Sequence, residues 1–329
     1  MAEKIKWGIL STGNIAGLFA EGLKYVKDAE LVAVASREES KAKAFADRFQ
    51  IPKYYGSYEQ LANDSNVDVI YVATPHNLHC ENTLLCLEHG KHVLCEKPFA
   101  VNTGQVKRMI DLASRKKLFL MEALWSRFLP GIIKTKELIN SGIIGDIRIM
   151  KVDFGISPVF DPKHRLFNPE LIGGSLLDLG IYPVFLTLFL LGKPESINAV
   201  ASIGATGVDY SCSFTFQYKN DLMSVMYSTA IARTATVAEI YGNQGDIVFD
   251  NFWFTPVNFT LKMKDGKSEK TNFNFVGNGY NYEAEEVVKC LQSGKTQSEL
   301  MSWDRSLELI EVLDTIRRQI GLKYAGHDD

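Results

Sequence analysis

Apolar positions in the first 120 residues fall into short continuous runs separated by helical stripes. Residues 5–10 form one such run, after which Ile15, Phe19, Leu23 and Val26 share a helix face. Residues 31–35 predict a second strand, 40–49 a helix, and the surroundings of Tyr54 a short strand. Ser57 and Gln60 have capping-box spacing and open the next helix. Strands then follow at 69–73, 93–96 and 118–122, with helices at 77–89 and 105–115 between them. Continuous apolar strands alternating with amphipathic helices predict a parallel, doubly wound sheet covered on both faces.

Beyond Glu122 the rhythm changes. A helix follows Pro130, a strand covers 147–154, and an apolar helix covers 176–190. Strand candidates at 213–218, 223–228, 238–241, 246–249, 259–263 and 272–275 then follow in succession. Lys219-Asn220-Asp221, Asn243-Gln244-Gly245 and Asp265-Gly266 supply turns, which predicts a large, mostly antiparallel open sheet in an α+β domain. That sheet would have a free polar face or a partner face. Helices at 282–292 and 304–320 close the chain. The expected division is 1–122 and 123–329, with the last helix a candidate to pack back on the first domain.

The chain has 329 residues, long enough to bury about three-quarters of its unfolded surface and to form two domains. Thirty-six basic residues against 39 acidic ones leave no positive excess for a nucleic-acid backbone. Five cysteines without a C-x-x-C pair fit free thiols better than a disulfide framework or structural zinc. The N-terminus runs directly into a strand without the apolar stretch of a signal peptide. Residues 176–191 are interrupted by Asp178, Gly180 and Pro183 and fall short of the ~20 residues that span a bilayer. A soluble, cytoplasmic protein with neither nucleic-acid nor membrane partners is expected.

Chemistry concentrates at the carboxyl ends of the predicted parallel strands. Ser11, Thr12, Gly13, Asn14 and Ile15 form the first strand–helix turn, where backbone amides and a helix dipole suit a pyrophosphate. The glycine pattern is degraded, with Ser11 at the usual first glycine and Ala16 at the third. The second strand ends in Ser36 and Arg37, with Lys41 one helical turn later. A hydroxyl and a guanidinium in place of a ribose-binding carboxylate favour NADP over NAD. Thr74, Pro75, His76, Asn77 and His79 follow the fourth strand and would line the nicotinamide crevice. The pairs His76/His79 and His89/His92 flank opposite ends of one helix, so no metal site is expected. Glu96 and Lys97 precede Pro98 at the end of the fifth strand, again on the crevice side. In the segment from Gly173 to Pro183, Asp178 and Tyr182 stand four apart and would share one helix face. A carboxylate in so apolar a helix is costly unless paired.

Gly13 in its turn, Ala73-Thr74-Pro75, Glu96-Lys97-Pro98 and the GGSLLDLG segment, in this order and spacing, resemble the glucose–fructose oxidoreductase / inositol dehydrogenase / MocA family. The likeness covers essentially the whole chain. Residues 55–59, 120–128, 177–182 and 282–284 are most similar to its dimeric dihydrodiol dehydrogenase and NADP-dependent D-xylose dehydrogenase branch. The resemblance implies a Rossmann domain followed by an α/β domain whose open sheet commonly forms a homodimer or higher homo-oligomer. It implies extended NADP and Lys97 as the catalytic lysine. Much of the family carries His where this chain has Tyr182, a departure that agrees with the dihydrodiol branch. Trp125 and Phe154 match residues that contribute to that branch's substrate pocket, together with Tyr182.

The reaction so implied is reversible hydride transfer between nicotinamide and a secondary alcohol of a sugar, polyol or trans-dihydrodiol. The alcohol loses a proton as its hydride leaves, so a base must lie within hydrogen-bond reach. Tyr182 is the first candidate, with Lys97 holding the reacting oxygen and Asp178 orienting the pair or relaying the proton. Which of the three is the formal base stays open. The alternative is a non-catalytic NADP-binding regulator of the same fold, which would not need to retain all three. The sequence does not identify the physiological substrate.

Overall fold

The computed structural model describes residues 4–328. The chain forms two compact units, one from the residues up to Trp125 with Phe275–Leu307, the other from Ser126–Asn274 with the residues from Glu308 on. The segment Phe275–Leu307, placed by sequence in the second domain, therefore packs within the first unit.

In the first unit, strands β1 (Ile5–Leu10), β2 (Ala29–Ala35), β3 (Lys53–Tyr55), β4 (Val69–Val72), β5 (His92–Glu96) and β6 (Leu120–Ala123) alternate with helices. These helices are α1 (Asn14–Leu23), α2 (Glu39–Phe49), α3 (Tyr58–Ala62), α4 (His79–Glu88) and α5 (Thr103–Lys116). All strand pairs are parallel, in the order β3-β2-β1-β4-β5-β6. β1 and β4 are buried over their last four residues because helices cover both sheet faces. Trp7, Phe19 and Tyr71 fill the core, the last two stacked 3.8 Å apart. Caps start two helices as their residue types dictate: Ser57 accepts from the Gln60 amide at 3.2 Å, and Asn102 from the Gln105 amide at 2.9 Å. The expected helix at 77–89 begins with a tight 3₁₀ turn, His76–Leu78, before α4. Helix α8 (Tyr280–Gln292) packs on α1, and Asn278 Nδ2 donates to the Leu18 carbonyl at 2.8 Å.

The second unit contains α6 (Pro130–Asn140), β7 (Ile147–Gly155), α7 (Ile181–Leu191), β8 (Ser196–Ile203), β9 (Asp209–Gln217) and β10 (Met223–Thr229). It continues with β11 (Ala238–Gly242), β12 (Gly245–Phe249), β13 (Phe259–Met263) and β14 (Ser268–Thr271). The eight strands order as β14-β13-β12-β11-β7-β10-β9-β8, antiparallel except for the β7–β10 pair. Met150, Phe214, Phe216, Met226, Ile240 and Ile247 form the buried face. Helix α7 covers part of it, with the Thr187 hydroxyl 3.0 Å from Met226 Sδ and 3.3 Å from Ser224 Oγ. The opposite face carries small and charged side chains, including a 3.0 Å Lys151–Glu239 pair. Helix α9 (Trp303–Gln319) gives its first residues to the first unit and the remainder to the second.

Three sequence expectations change. Residues 272–275 are not a strand: the Phe273 amide bonds Asn258 Oδ1 at 3.0 Å, and β14 lies just before it. β8 was not expected, because its alternation of small residues is weak; pairing with β9 along its whole length decides its conformation. The expected apolar α-helix from Leu176 begins as a π-turn, Leu176–Gly180, and becomes α-helical only at Ile181. The helical run counted from Pro169 spans 23 residues, long and apolar enough to cross a membrane, but 94% of its best window is buried inside the protein. It is a core element.

Candidate active site

In the first unit β1 lies between β2 and β4, so the strand order reverses there and opens a crevice at the carboxyl edge. The turn after β1 has Ser11 at φ 107°, a left-handed conformation that a side chain adopts at a cost. Its amide bonds the Ala35 carbonyl at 2.9 Å, tying the β1 turn to the end of β2. Gly13 is the extended N-cap of α1 and makes no side-chain cap. Among the described residues, its chain neighbours aside, no atom lies within 4 Å of where its Cβ would be, so packing does not require glycine and open space borders the helix N-terminus. Thr12, Asn14 and Ile15 are partly or fully exposed around it. These features fit a dinucleotide pyrophosphate.

At the end of β2, Ser36 is buried and its hydroxyl accepts from the Glu38 amide at 3.4 Å, while Arg37 is exposed. Lys41 is engaged by Glu38 at 2.6 Å on the exposed first turn of α2. The phenol of Tyr58 meets both the Arg37 guanidinium and the Ser11 hydroxyl; burial pushes its pKa up, and the guanidinium opposes that. The sequence reading gave Tyr58 no role. The signal was present, because a capped helix start after β3 puts its first residue at the same sheet edge as Ser11 and Arg37.

After β4, Thr74 and His79 are buried. His79 sits between two carbonyls, with Nε2 2.8 Å from Thr74 O and Nδ1 2.7 Å from Pro98 O. Burial lowers its pKa and Lys97 adds to that, while the carbonyl contacts oppose both. Asn82 Nδ2 donates to the Thr74 hydroxyl at 3.1 Å. Pro75, His76 and Asn77 are half-buried at the crevice edge, the His76 ring 5.7 Å from that of His79.

The turn after β5 is held at successive residues by buried side chains. Glu96 accepts from the Tyr71 hydroxyl and, through Oε2, from the Lys97 amide at 3.1 Å. His79 meets the Pro98 carbonyl, and Glu122 Oε1 accepts from the Phe99 amide at 3.0 Å. The Lys97–Pro98 bond is cis. Lys97 is thus held by its backbone at the carboxyl edge of the sheet. Trp125, also in this unit, stacks on Tyr280 at 4.5 Å with nearly parallel rings.

In the second unit, Asp209 anchors the segment from Gly173 to Gly180. Its Oδ2 accepts from the Ser175 hydroxyl at 2.8 Å and the Leu176 amide at 2.7 Å. Gly174 has φ 117°, and a Cβ there would lie 2.1 Å from Asp209 Oδ1. Burial raises the Asp209 carboxyl to about 6 against these donors. Asp178, in the π-turn that follows, is buried and pairs with Arg165 Nη1 at 2.5 Å. The ion pair answers the cost expected for a carboxylate in this setting. Tyr182 lies in the first turn of α7, its ring 5.4 Å from Phe154 and 5.4 Å from Phe254, which themselves stack at 4.2 Å.

Residues 5–124 match a family model for "oxidoreductase family, NAD-binding Rossmann fold", and the family's C-terminal domain model matches residues 132–248. Over 329 aligned residues the chain is 40% identical to trans-1,2-dihydrobenzene-1,2-diol dehydrogenase of Xenopus laevis, covering 97% of this chain and 99% of that one. The Mus musculus protein of the same name is 38% identical, covering 97% and 98%. The chain belongs to the Gfo/Idh/MocA family. It is an NAD(P)-binding oxidoreductase. Solved structures share the fold: an aldose-aldose oxidoreductase from Caulobacter crescentus has a TM-score of 0.86 at 24% identity, covering 96% and 97% of the two chains. A 3-ketoreductase from Actinomadura kijaniata in complex with NADP has a TM-score of 0.85 at 24% identity, covering 97% and 98%.

Within this Gfo/Idh/MocA chain, the nominated nucleotide residues gather at the ends of β1, β2, β4 and β5, and Phe154 gathers with Tyr182. Arg165 and Phe254 were not anticipated. Both lie in irregular segments, where neither hydrophobic period nor turn chemistry fixes a side chain's direction. Because Asp178 lies in a π-turn, its relation to Tyr182 is not that of two residues on one α-helical face. Gly174→Ala should lower stability by about 2 kcal/mol or more and reduce turnover, since a methyl would collide with the anchoring carboxylate. Urea unfolding checks this; a change under about 0.5 kcal/mol would refute the anchor.

Proposed function

We propose that this chain is an NADP(H)-linked dehydrogenase acting reversibly on a secondary alcohol of a sugar, polyol or trans-dihydrodiol. The observation that carries the reading is the clamped turn that presents Lys97 at the carboxyl edge of the nucleotide-binding sheet. The names of its close relatives support a diol as substrate.

A bound nicotinamide would supply the acceptor for the hydride of the carbinol carbon. Lys97 donates a hydrogen bond to the reacting oxygen and stabilises the negative charge that grows as its proton departs. Tyr182 exchanges that proton through its phenol. Asp178, fixed by Arg165, orients the exchange or relays the proton onward. Phe154 and Phe254 flank Tyr182 in the second unit and give its phenol an apolar setting, and Trp125 is a further candidate for substrate contact. Ser11 to Ile15 would hold the pyrophosphate, and Thr74 to Asn77 would serve the nicotinamide end of the crevice.

For the cofactor's 2′-phosphate, Ser36 and Arg37 supply a hydroxyl and a planar guanidinium. Glu38, the acid nearest this point in the chain, is paired with Lys41. On the open sheet face, Val200 and the small polar side chains of β8, β9 and β10 line a shallow groove of about 370 Å³. The homodimer expected from the family resemblance would be built on this face, where Val200 is exposed. The five buried free thiols are in keeping with a reducing cytoplasm.

Three outcomes test the reading. Lys97→Met should lower kcat by roughly 10²–10⁴-fold in a nicotinamide absorbance assay while leaving NADPH affinity within about threefold; retained turnover refutes it. Arg37→Ala should weaken NADPH by about tenfold or more and NADH far less, measured by fluorescence titration; equal losses remove the 2′-phosphate assignment. Light scattering should give twice the chain mass of 36.8 kDa, and a monomer contradicts the dimer.

A further inference from the structure

Lys97 stands among buried acids of which the proposed mechanism uses none. Glu96 is fixed by the Tyr71 hydroxyl and the Lys97 amide. Glu283 on α8 is completely buried, and among the described residues neither of its oxygens has a hydrogen-bond donor. Burial, with the charge of Glu96, pushes its carboxyl well above the usual range. Glu122 differs from both. It is 2% exposed, its Oε1 takes the Phe99 amide two residues beyond Lys97, and it lies within electrostatic reach of the ammonium.

We propose that Glu122 is a positioning residue for Lys97: as a carboxylate it anchors the turn and keeps the neighbouring ammonium charged and directed, and on protonation it relaxes that hold. The inference deepens the reading above and rests on the assignment of Lys97. Burial pushes the Glu122 carboxyl up to about 7 and the charge of Glu96 adds to the rise, while the Ser306 hydroxyl, the Phe99 amide and Lys97 favour the charged form. The groups facing this cluster are Tyr71 on β4, His79 on α4, Cys95 and Glu96 on β5, Lys97 in the turn, Glu283 on α8 and Ser306 on α9. Burial pushes the Cys95 thiol and the Tyr71 phenol further above neutrality, so neither changes charge there, and it pushes the Glu283 carboxyl up as well. Glutamine at 122 would keep an oxygen for the Phe99 amide yet never ionise, which separates charge from shape.

The test measures kcat/KM for alcohol oxidation across pH with saturating NADP. Wild-type activity should rise through about pH 7 as Glu122 ionises, and the ratio of wild type to Glu122→Gln should grow about tenfold between about pH 6 and about pH 8. A pH-independent ratio would mean a merely structural role and overturns the proposal. Should the glutamine variant not fold, Ser306→Ala serves instead: losing a hydroxyl that stabilises the charge should move the limb to higher pH, and an unmoved limb refutes the idea. Lys97→Met is run alongside. If it is inactive while the ratio stays flat, only this inference fails; if it retains turnover, the assignment of Lys97 fails and takes the inference with it.

Discussion

A lysine side chain has four rotatable bonds, and its ammonium is useful at a reacting oxygen only if its backbone cannot wander. In this chain that constraint is met by directing buried side chains at the main chain on both sides of Lys97. Glu96 folds back onto the lysine's own amide, His79 takes the next carbonyl, and Glu122 takes the amide after that. Each partner comes from a different element: β5, α4 and β6. A shift in any of these elements would be felt at the turn, so the sheet's regularity becomes precision at one ammonium.

The same device recurs in the second unit. Asp209, at the start of β9, accepts from Ser175 and from the Leu176 amide, fixing where the π-turn begins. That turn holds Asp178 against Arg165, and Tyr182 follows in the first turn of α7. A π-turn makes a wider ring of hydrogen bonds than an α-helix and re-aims the side chains on it. Gly174 is the concession the backbone makes, since no side chain would fit against the anchoring carboxylate.

Most of the first unit was legible because a two-sided parallel sheet writes itself as continuous apolar runs, and because its ligand-facing residues must sit where strands end. Ser11, Arg37, Thr74 and Lys97 could be nominated from position alone. The second unit was less legible. β8 exposes Val200 and Ile203, so its sequence lacks the half-buried alternation that marks a strand, and only its pairing with β9 reveals it. Arg165 and Phe254 sit in irregular segments, and the contacts that matter to them are distant in sequence or lack a period. The assignment of Phe275–Leu307 failed for a different reason: amphipathic helices announce that they cover something, not what they cover.

The buried acids differ in what their surroundings offer the charge, and that difference orders their behaviour. Asp178 has a guanidinium at 2.5 Å. Asp209 has a hydroxyl and backbone amides but, among the described residues, no paired cation, and its carboxyl rises to about 6. Glu122 has one amide, a neighbouring hydroxyl and a more remote ammonium, and rises to about 7. Glu283 has no donor among the described residues, and burial with the charge of Glu96 pushes its carboxyl well above the usual range. Burial is common to the four, so the donors, not depth, decide which acids carry charge. The intermediate supply of donors, with burial bringing the carboxyl up to about 7, suits Glu122 to the role proposed for it.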